Sequence, residues 1–85
     1  MPFKVIIANT AQKQLDALDR KQQAYLYRYL QENLEGCHDP RNVIGSEPLQ
    51  KDVDDEWRFR VGTYRILASL TNNSIVIRAI RVGTL

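Results

Sequence analysis

The sequence lacks three features that would identify many classes of protein: paired cysteines, a long apolar run, and acidic residues in its C-terminal third. Cys37 is the only cysteine among 85 residues, which excludes an intrachain disulfide and a cysteine-rich metal site. No apolar run approaches the roughly 18 residues that span a bilayer, and the apolar stretch at the N-terminus is too short for a secretory signal. We therefore expect one cytoplasmic domain over residues 1–85, without a metal or other cofactor.

The scarcity of acidic residues makes the charge distribution asymmetric. Residues 57–85 contain five arginines and no aspartate or glutamate, whereas residues 1–56 contain seven lysines or arginines and ten acidic residues. Such asymmetry indicates an anionic partner for the C-terminal part. All five cations there are arginines, whose planar guanidinium suits phosphate and can stack on bases. RNA is the partner that this composition favours.

The N-terminal part predicts one strand and two helices. Residues 3–8 form a β-branched run, and Asn9 or Thr10 is expected to cap the first helix. Asp19 can cap a second helix over residues 20–34, which Gly36 would end. The apolar positions expected on the inner faces of the two helices are Ala11, Leu15, Leu18, Ala24, Leu26, Tyr27, Leu30 and Leu34. Residues 36–56 read as one long loop, a kind of segment that is often functional.

From Trp57 onward the apolar period changes to two, which predicts three strands. These cover residues 57–61, 64–70 and 75–82, and they are joined by turns at Gly62-Thr63 and Asn72-Asn73. The predicted fold is therefore α+β, with a β-α-α-β-β-β order. A two-helix hairpin packs on one face of a mainly antiparallel sheet.

The two predicted turns fix which side chains share a face of the sheet. Arg60 lies opposite Arg65, and Leu67 lies opposite Arg78, so the arginines gather on the face away from the helices. The outer face is expected to contain Arg58, Arg60, Arg65, Arg78, Leu67, Val76, Ile80 and Val82, whereas Ala79 and Arg81 are expected on the core face. Like charges directly opposite one another destabilise a sheet, and no acidic residue is interleaved. We interpret this face as a binding surface rather than a solvated one.

Other polar residues are weaker candidates. His38 has no accompanying nucleophile or acid, and Cys37 has no activating neighbour besides His38, so a solvated histidine and a passive thiol are favoured. Four carboxylates (Asp52, Asp54, Asp55 and Glu56) lack the spacing of a metal-binding loop and are interpreted as a solvated acidic segment.

Several of these segments together resemble a known family. They are Lys4 to Leu15, Pro48-Leu49, Trp57-Arg-Phe-Arg-Val-Gly-Thr-Tyr-Arg-Ile66, and Ile75-Val-Ile-Arg-Ala-Ile-Arg-Val-Gly83. This combination is similar to the RelE/ParE superfamily of bacterial toxins, and the likeness covers nearly the whole chain. It implies a toxin of a type II toxin–antitoxin module, neutralised by a small acidic, largely helical antitoxin that would also mediate any contact with operator DNA.

The resemblance is closer to the RelE branch, which implies an endoribonuclease that cuts mRNA in the ribosomal A site. By position, Arg58, Arg60 and Arg65 would be catalytic. RNA-binding residues would be these three with Lys51, Arg78 and Arg81, and antitoxin-binding residues would be Leu67, Val76, Ile80 and Val82.

The sequence departs from the family pattern after Val82-Gly83. A basic run and a terminal tyrosine are usual there, but Thr84-Leu85 follow in this sequence, so weakened or absent cleavage is an expectation. Two alternatives stay open at this point: a ParE-like inhibitor of DNA gyrase, and a catalytically silent member that only binds an antitoxin.

Overall fold

The computed structural model describes residues 2–50 and 53–82, with the backbone alone for residues 53 and 54. Strand β1 (Lys4–Ile7) is followed by helix α1 (Asn9–Asp16) and helix α2 (Arg20–Tyr29). Four further strands complete the chain: β2 (Ser46–Gln50), β3 (Val53–Val61), β4 (Tyr64–Thr71) and β5 (Ser74–Val82). A π-helical turn, Leu30–Leu34, extends α2, and a short 3₁₀ helix, Pro40–Asn42, precedes β2.

The five strands form one mixed sheet in the order β1-β5-β4-β3-β2. Only β1 and β5 are parallel, and the other neighbours are antiparallel, so the predicted α+β fold with a mainly antiparallel sheet is confirmed. The prediction of one loop over residues 36–56 is wrong, because β2 and the start of β3 lie within it. Strand β2 contains Pro48, which lacks a backbone N–H. It is tolerated because β2 is an edge strand.

Two of the three helix ends predicted from the sequence are found in the structure. The predicted cap at Asn9 or Thr10 is wrong, because Ala8 occupies the N-cap position of α1 and makes no side-chain capping bond. Asp19 caps α2 as predicted, with its carboxylate accepting a hydrogen bond from the Gln22 amide at 2.9 Å. Gly36 has a φ of 81°, the left-handed conformation expected of a residue that ends a helix.

The hydrophobic core lies between the helices and one face of the sheet. Strand β4 alternates along its length: Tyr64, Ile66 and Ala68 are buried, and the residues between them are partly exposed. The largest fully buried side chains of the described residues are Leu15, Leu26, Leu34, Pro40, Phe59, Ile66, Ile75 and Ile77. Ala24 and Tyr27 were expected on the inner face of α2, but both are exposed, because Leu26, Leu30 and Leu34 alone form the buried stripe.

Both predicted hairpin turns are present. Asn72 and Asn73 have φ angles of 44° and 64°, the pair of left-handed conformations that a type I′ turn requires and that asparagine tolerates. In the other turn, Gly62 has a φ of 60° and lies against the ring of Tyr25, which belongs to α2. A Cβ atom at Gly62 would lie 2.9 Å from the Tyr25 hydroxyl oxygen, so the hairpin end of β3 and β4 closely approaches α2.

We expect Gly62→Ala to destabilise the fold more than Gly36→Ala. Both glycines have positive φ, so each alanine costs about 1 kcal/mol of conformational strain. Only at Gly62 would the new methyl group also collide with Tyr25, because nothing lies within 4 Å of the corresponding position at Gly36. Urea denaturation of the two variants measures the difference in the free energy of unfolding.

A double variant separates the collision from the strain. Tyr25→Phe removes the hydroxyl, after which the nearest ring atoms lie 3.5 Å from the new methyl group, an ordinary contact. In that background Gly62→Ala should cost only as much as Gly36→Ala does. An unchanged cost would show that backbone conformation alone requires glycine at this turn.

Candidate nucleic-acid interface

Three arginines form a row across the three central strands. Arg60 on β3 pairs directly with Arg65 on β4, and Arg65 pairs directly with Arg81 on β5. Directly opposed residues have Cβ atoms about 5 Å apart, so the three side chains leave the same face side by side. Arg60 and Arg81 are exposed and Arg65 is partly exposed. Within residues 2–50 and 53–82, none of the three has an ion pair or a hydrogen bond from its guanidinium.

This arginine row, Arg60–Arg65–Arg81, differs from the predicted one at β5. The expected pairing of Arg60 with Arg65 is confirmed, but Leu67 pairs with Ala79 rather than with Arg78, because the register shifts between Leu67 and Ala68. A β-bulge places one extra residue on β5, and each residue beyond it therefore lies on the opposite face from the one expected.

The bulge corrects four face assignments, those of Ala79, Ile80, Arg81 and Val82. Arg81 was expected on the core face but lies on the outer face, opposite Arg65. Ile80 was expected on the outer face, but it belongs to the core with 8% of its surface exposed. Ala79 was expected in the core and instead pairs with Leu67 on the outer face. Arg78 stays on the outer face, as predicted, and its Nη1 donates to Ser69 Oγ at 3.3 Å.

The second row of the face contains a carboxylate that the sequence analysis missed. Glu47 on β2 pairs with Arg58 on β3, and its Oε1 accepts a hydrogen bond from Arg58 Nε at 3.1 Å and lies 2.8 Å from Arg58 Nη2 in an ion pair. The expectation that no acidic residue lies among the outer-face arginines is therefore wrong. Glu47 falls in the segment read as a loop, so its strand and its face were not predicted.

Charge on the outer face changes from one end of the sheet to the other. The arginine row lies beside the Gly62 turn, and the Glu47–Arg58 pair is one row farther away. The next row runs across the sheet from β3 to β1 and contains Glu56, Ser69, Val76 and Ile6. Uncompensated positive charge is thus concentrated at the hairpin end of the described sheet.

The apolar residues proposed from the sequence have different environments. Leu67 and Val76 are partly exposed on the outer face. Val82 was expected on the outer face, but it pairs with the buried Tyr64 and therefore lies on the core side of the sheet, at the end of β5, where 65% of its surface is exposed. Ile80 is buried, so its side chain is not available for surface contacts.

The remaining candidates make no second site in the described residues. Lys51 lies outside the described residues. His38 is exposed. Burial and the nearby Asp39 carboxylate raise the pKa of the Cys37 thiol, which makes it less reactive than a free cysteine. The described residues contain no group of three histidine, cysteine or acidic side chains placed to hold a metal ion, and no described helix is long and apolar enough to cross a membrane.

The fold defined by the two helices and the five-stranded sheet is that of the RelE-like toxins. The chain is similar to a chain of the toxin–antitoxin complex RelBE2 from Mycobacterium tuberculosis, with a TM-score of 0.77, 21% identity, and coverage of 96% of this chain and 99% of that one. It is also similar to a chain of the archaeal RelE–RelB complex from Pyrococcus horikoshii OT3, with a TM-score of 0.76, 23% identity, and coverage of 96% of both chains. No curated protein matches the chain.

The sequence itself identifies the family. Residues 5–84 match the family model described as the ParE toxin of type II toxin–antitoxin system, parDE. The chain therefore belongs to this toxin family, within the RelE/ParE superfamily, and the resemblance seen in the sequence is confirmed.

The arginine row predicts an unusual response of stability to charge removal. Arg65→Gln should raise the free energy of unfolding by about 0.5–1 kcal/mol, because Arg65 faces like charges on both sides. The gain should shrink in 1 M salt, where the Debye length falls to about 3 Å. Chemical denaturation at low and high salt measures both effects.

Arg58→Gln is the matched control, because it removes the same charge one row away. Arg58 is ion-paired with Glu47, and both side chains are partly exposed, so its loss should cost up to about 1 kcal/mol. Equal changes of stability in the two variants would contradict the assignment of repulsion to the arginine row.

Proposed function

We propose that this toxin inhibits translation by cleaving mRNA in the A site of the ribosome. The observation that carries the proposal is the arginine row, in which three adjacent cations have no carboxylate partner among the described residues. Repulsion within the row disfavours the free protein, and a bound phosphate relieves it. The sheet therefore offers RNA a preorganised anion site at its hairpin end, and the ribosome as target implies that the toxin acts in the cytoplasm.

The row suits the chemistry of RNA cleavage. Attack by the ribose 2′ oxygen on the adjacent phosphate builds negative charge on the phosphate oxygens, and fixed cations lower the barrier by stabilising that charge. Arg65 is central in the row and partly buried, so its side chain is held more firmly than those of Arg60 and Arg81. We assign Arg65 to the scissile phosphate and the two flanking arginines to the same phosphate or the next one.

Arg58 has a different role in this proposal. Its guanidinium already forms a hydrogen bond and an ion pair with Glu47, so RNA must compete with an internal carboxylate for it. Arg58 and the exposed Arg78 are therefore assigned to binding of the RNA backbone beyond the scissile phosphate, and the earlier assignment of Arg58 to catalysis is not retained. Lys51 stays a prediction from sequence.

The proposed antitoxin covers the same face. The two similar solved structures are toxin–antitoxin complexes, and an acidic helical antitoxin complements the arginine row by charge. Leu67 and Val76 give it apolar contacts beside the cations. Val82 is exposed on the opposite side of the sheet and Ile80 is buried, so neither is retained as a contact on this face. Binding of operator DNA would then occur through the antitoxin.

The decisive experiment is expression of the chain with and without Arg65→Ala. We expect growth arrest and cuts within the A-site codon of cellular mRNAs for the unchanged chain, read by primer extension and weakened by the departure from the family pattern after Gly83, and loss of both in the variant. Removing one preorganised donor to a developing oxyanion typically lowers a rate about 100- to 1,000-fold.

Arg28→Ala is the matched control. Arg28 is an exposed arginine on α2, away from the sheet face, and its variant should arrest growth like the unchanged chain. Equal toxicity of the Arg65 and Arg28 variants, or arrest without mRNA cuts, would contradict the proposed mechanism.

Inhibition of DNA gyrase is the second candidate, because the family model that matches residues 5–84 is that of ParE toxins. A gyrase inhibitor would block supercoiling of plasmid DNA by purified gyrase and would leave cellular mRNA intact. On our proposal the purified chain leaves supercoiling unchanged at concentrations that stop translation on purified ribosomes. The opposite pattern in these two assays would establish the gyrase candidate instead.

A further inference from the structure

The hairpin end of the sheet presents a tyrosine as well as the arginine row. Tyr25 projects from α2 to the Gly62 turn, where its hydroxyl oxygen is 2.9 Å from the position of a Cβ atom on Gly62. The side chain is 49% exposed, although neighbouring Leu26 is fully buried. No hydrogen bond joins the Tyr25 hydroxyl to another residue in the described part of the chain.

Tyr25 and the arginine row lie on opposite sides of the same hairpin end. Gly62 follows Arg60 by two positions, which is about 7 Å along an extended strand. Arg60 leaves the outer face of the sheet, and Tyr25 meets the turn from the helix side. An RNA strand with one phosphate on the row can therefore continue past the turn and place a neighbouring base beside the tyrosine ring.

Val82 adds exposed apolar surface at the same end. It pairs with Tyr64, the residue that closes the hairpin with Val61, and 65% of its surface is exposed. Two exposed apolar side chains, from a helix and a strand, thus lie on the helix side of the same end of the sheet that carries the arginine row on its outer face. Proteins that bind single-stranded nucleic acid combine cations that hold the backbone with a nearby aromatic ring that stacks on a base.

We propose that Tyr25 is a base-stacking residue of the RNA site, and that it makes the site prefer single-stranded RNA over other polyanions. This inference rests on the proposed function, because it takes the arginine row to be the phosphate site. It assigns to α2 a part in substrate binding. The ring supplies the stacking surface, so the hydroxyl is dispensable for this role.

The test compares full-length variants for binding to two fluorescent probes: a single-stranded RNA of mixed sequence and inorganic polyphosphate. Tyr25→Leu should weaken RNA binding about tenfold, within the range found when a stacking aromatic is removed, and should leave polyphosphate binding unchanged. Tyr25→Phe and Tyr25→Trp keep a stacking ring and should bind RNA like the unchanged chain. Arg65→Ala should weaken binding of both probes.

Tyr27→Leu is the matched control for loss of an exposed tyrosine from the same helix. Tyr27 is 38% exposed, and it lines a groove with Val5 and Ile7 of β1, an edge strand that pairs with β5 and not with β3 or β4. Its hydroxyl accepts a hydrogen bond from Gln12 Nε2 at 2.9 Å. This variant should bind both probes normally, and thermal melting of every variant establishes that the fold is retained.

The outcomes separate the inference from the proposed function. Normal RNA binding by Tyr25→Leu, with binding lost in Arg65→Ala, would overturn the role of Tyr25 and leave the phosphate site standing. An equal loss of binding to both probes in Tyr25→Leu would also overturn it, because stacking has no effect on polyphosphate. Failure of the unchanged chain to bind RNA, with Arg65→Ala having no effect, would contradict the proposed function and the inference together.

Discussion

The alternation of side chains along β4 is the constraint on which the rest of the structure depends. This strand is central, with β3 on one side and β5 on the other. Its buried residues, Tyr64, Ile66 and Ala68, meet the helices and fix that face as the core. Arg65 and Leu67 must then leave the sheet on the opposite side. Burial of a few apolar side chains in β4 thereby determines where the charged face lies and which residues of the neighbouring strands join it.

The β-bulge on β5 adds the third member of the arginine row. Without an extra residue, the register set by Leu70 and Ile75 would place Arg81 toward the core and Ile80 toward solvent. The bulge exchanges them, so an isoleucine enters the core and an arginine joins the open face. The amide of Ile80 lies beyond the last pairing of β1 with β5 and donates instead to Gln14 Oε1 of α1 at 2.6 Å. A backbone irregularity is thus stabilised by a helix side chain, and it serves both the core and the surface.

Much of the fold could be predicted because its determinants are local. A two-residue turn fixes the register of a hairpin, so the Gly62 turn was sufficient to place Arg60 opposite Arg65. The bulge was missed because a strict period of two was continued through β5. The spacing of its core residues, Ile75, Ile77 and Ile80, changes from two to three, and this change of phase was the available signal.

Strand β2 was missed for a different reason. Its residues are mostly polar, it contains Pro48, and its pairing with β3 is stabilised by contacts that are distant in sequence. Edge strands of this kind have little periodicity of their own, so the carboxylate of Glu47 could not be assigned to a face. The arginine face predicted from sequence was therefore correct in the pairing of Arg60 with Arg65 and incomplete at both flanks, where the long-range pairing of β2 and the bulge on β5 decide which residues lie there.

The parallel pairing of β1 with β5 has a consequence for how the toxin is produced. Lys4 pairs with Ser74, and Ile7 pairs with Ile77, so the first strand of the chain finds its partner only in the last strand of the described sheet. Contacts between such distant segments form late in folding, because closure of the long intervening chain is entropically costly. Arg81 belongs to the same last strand. A nascent chain therefore has neither the complete five-stranded sheet nor the complete arginine row until β5 has emerged from the ribosome that is synthesising it.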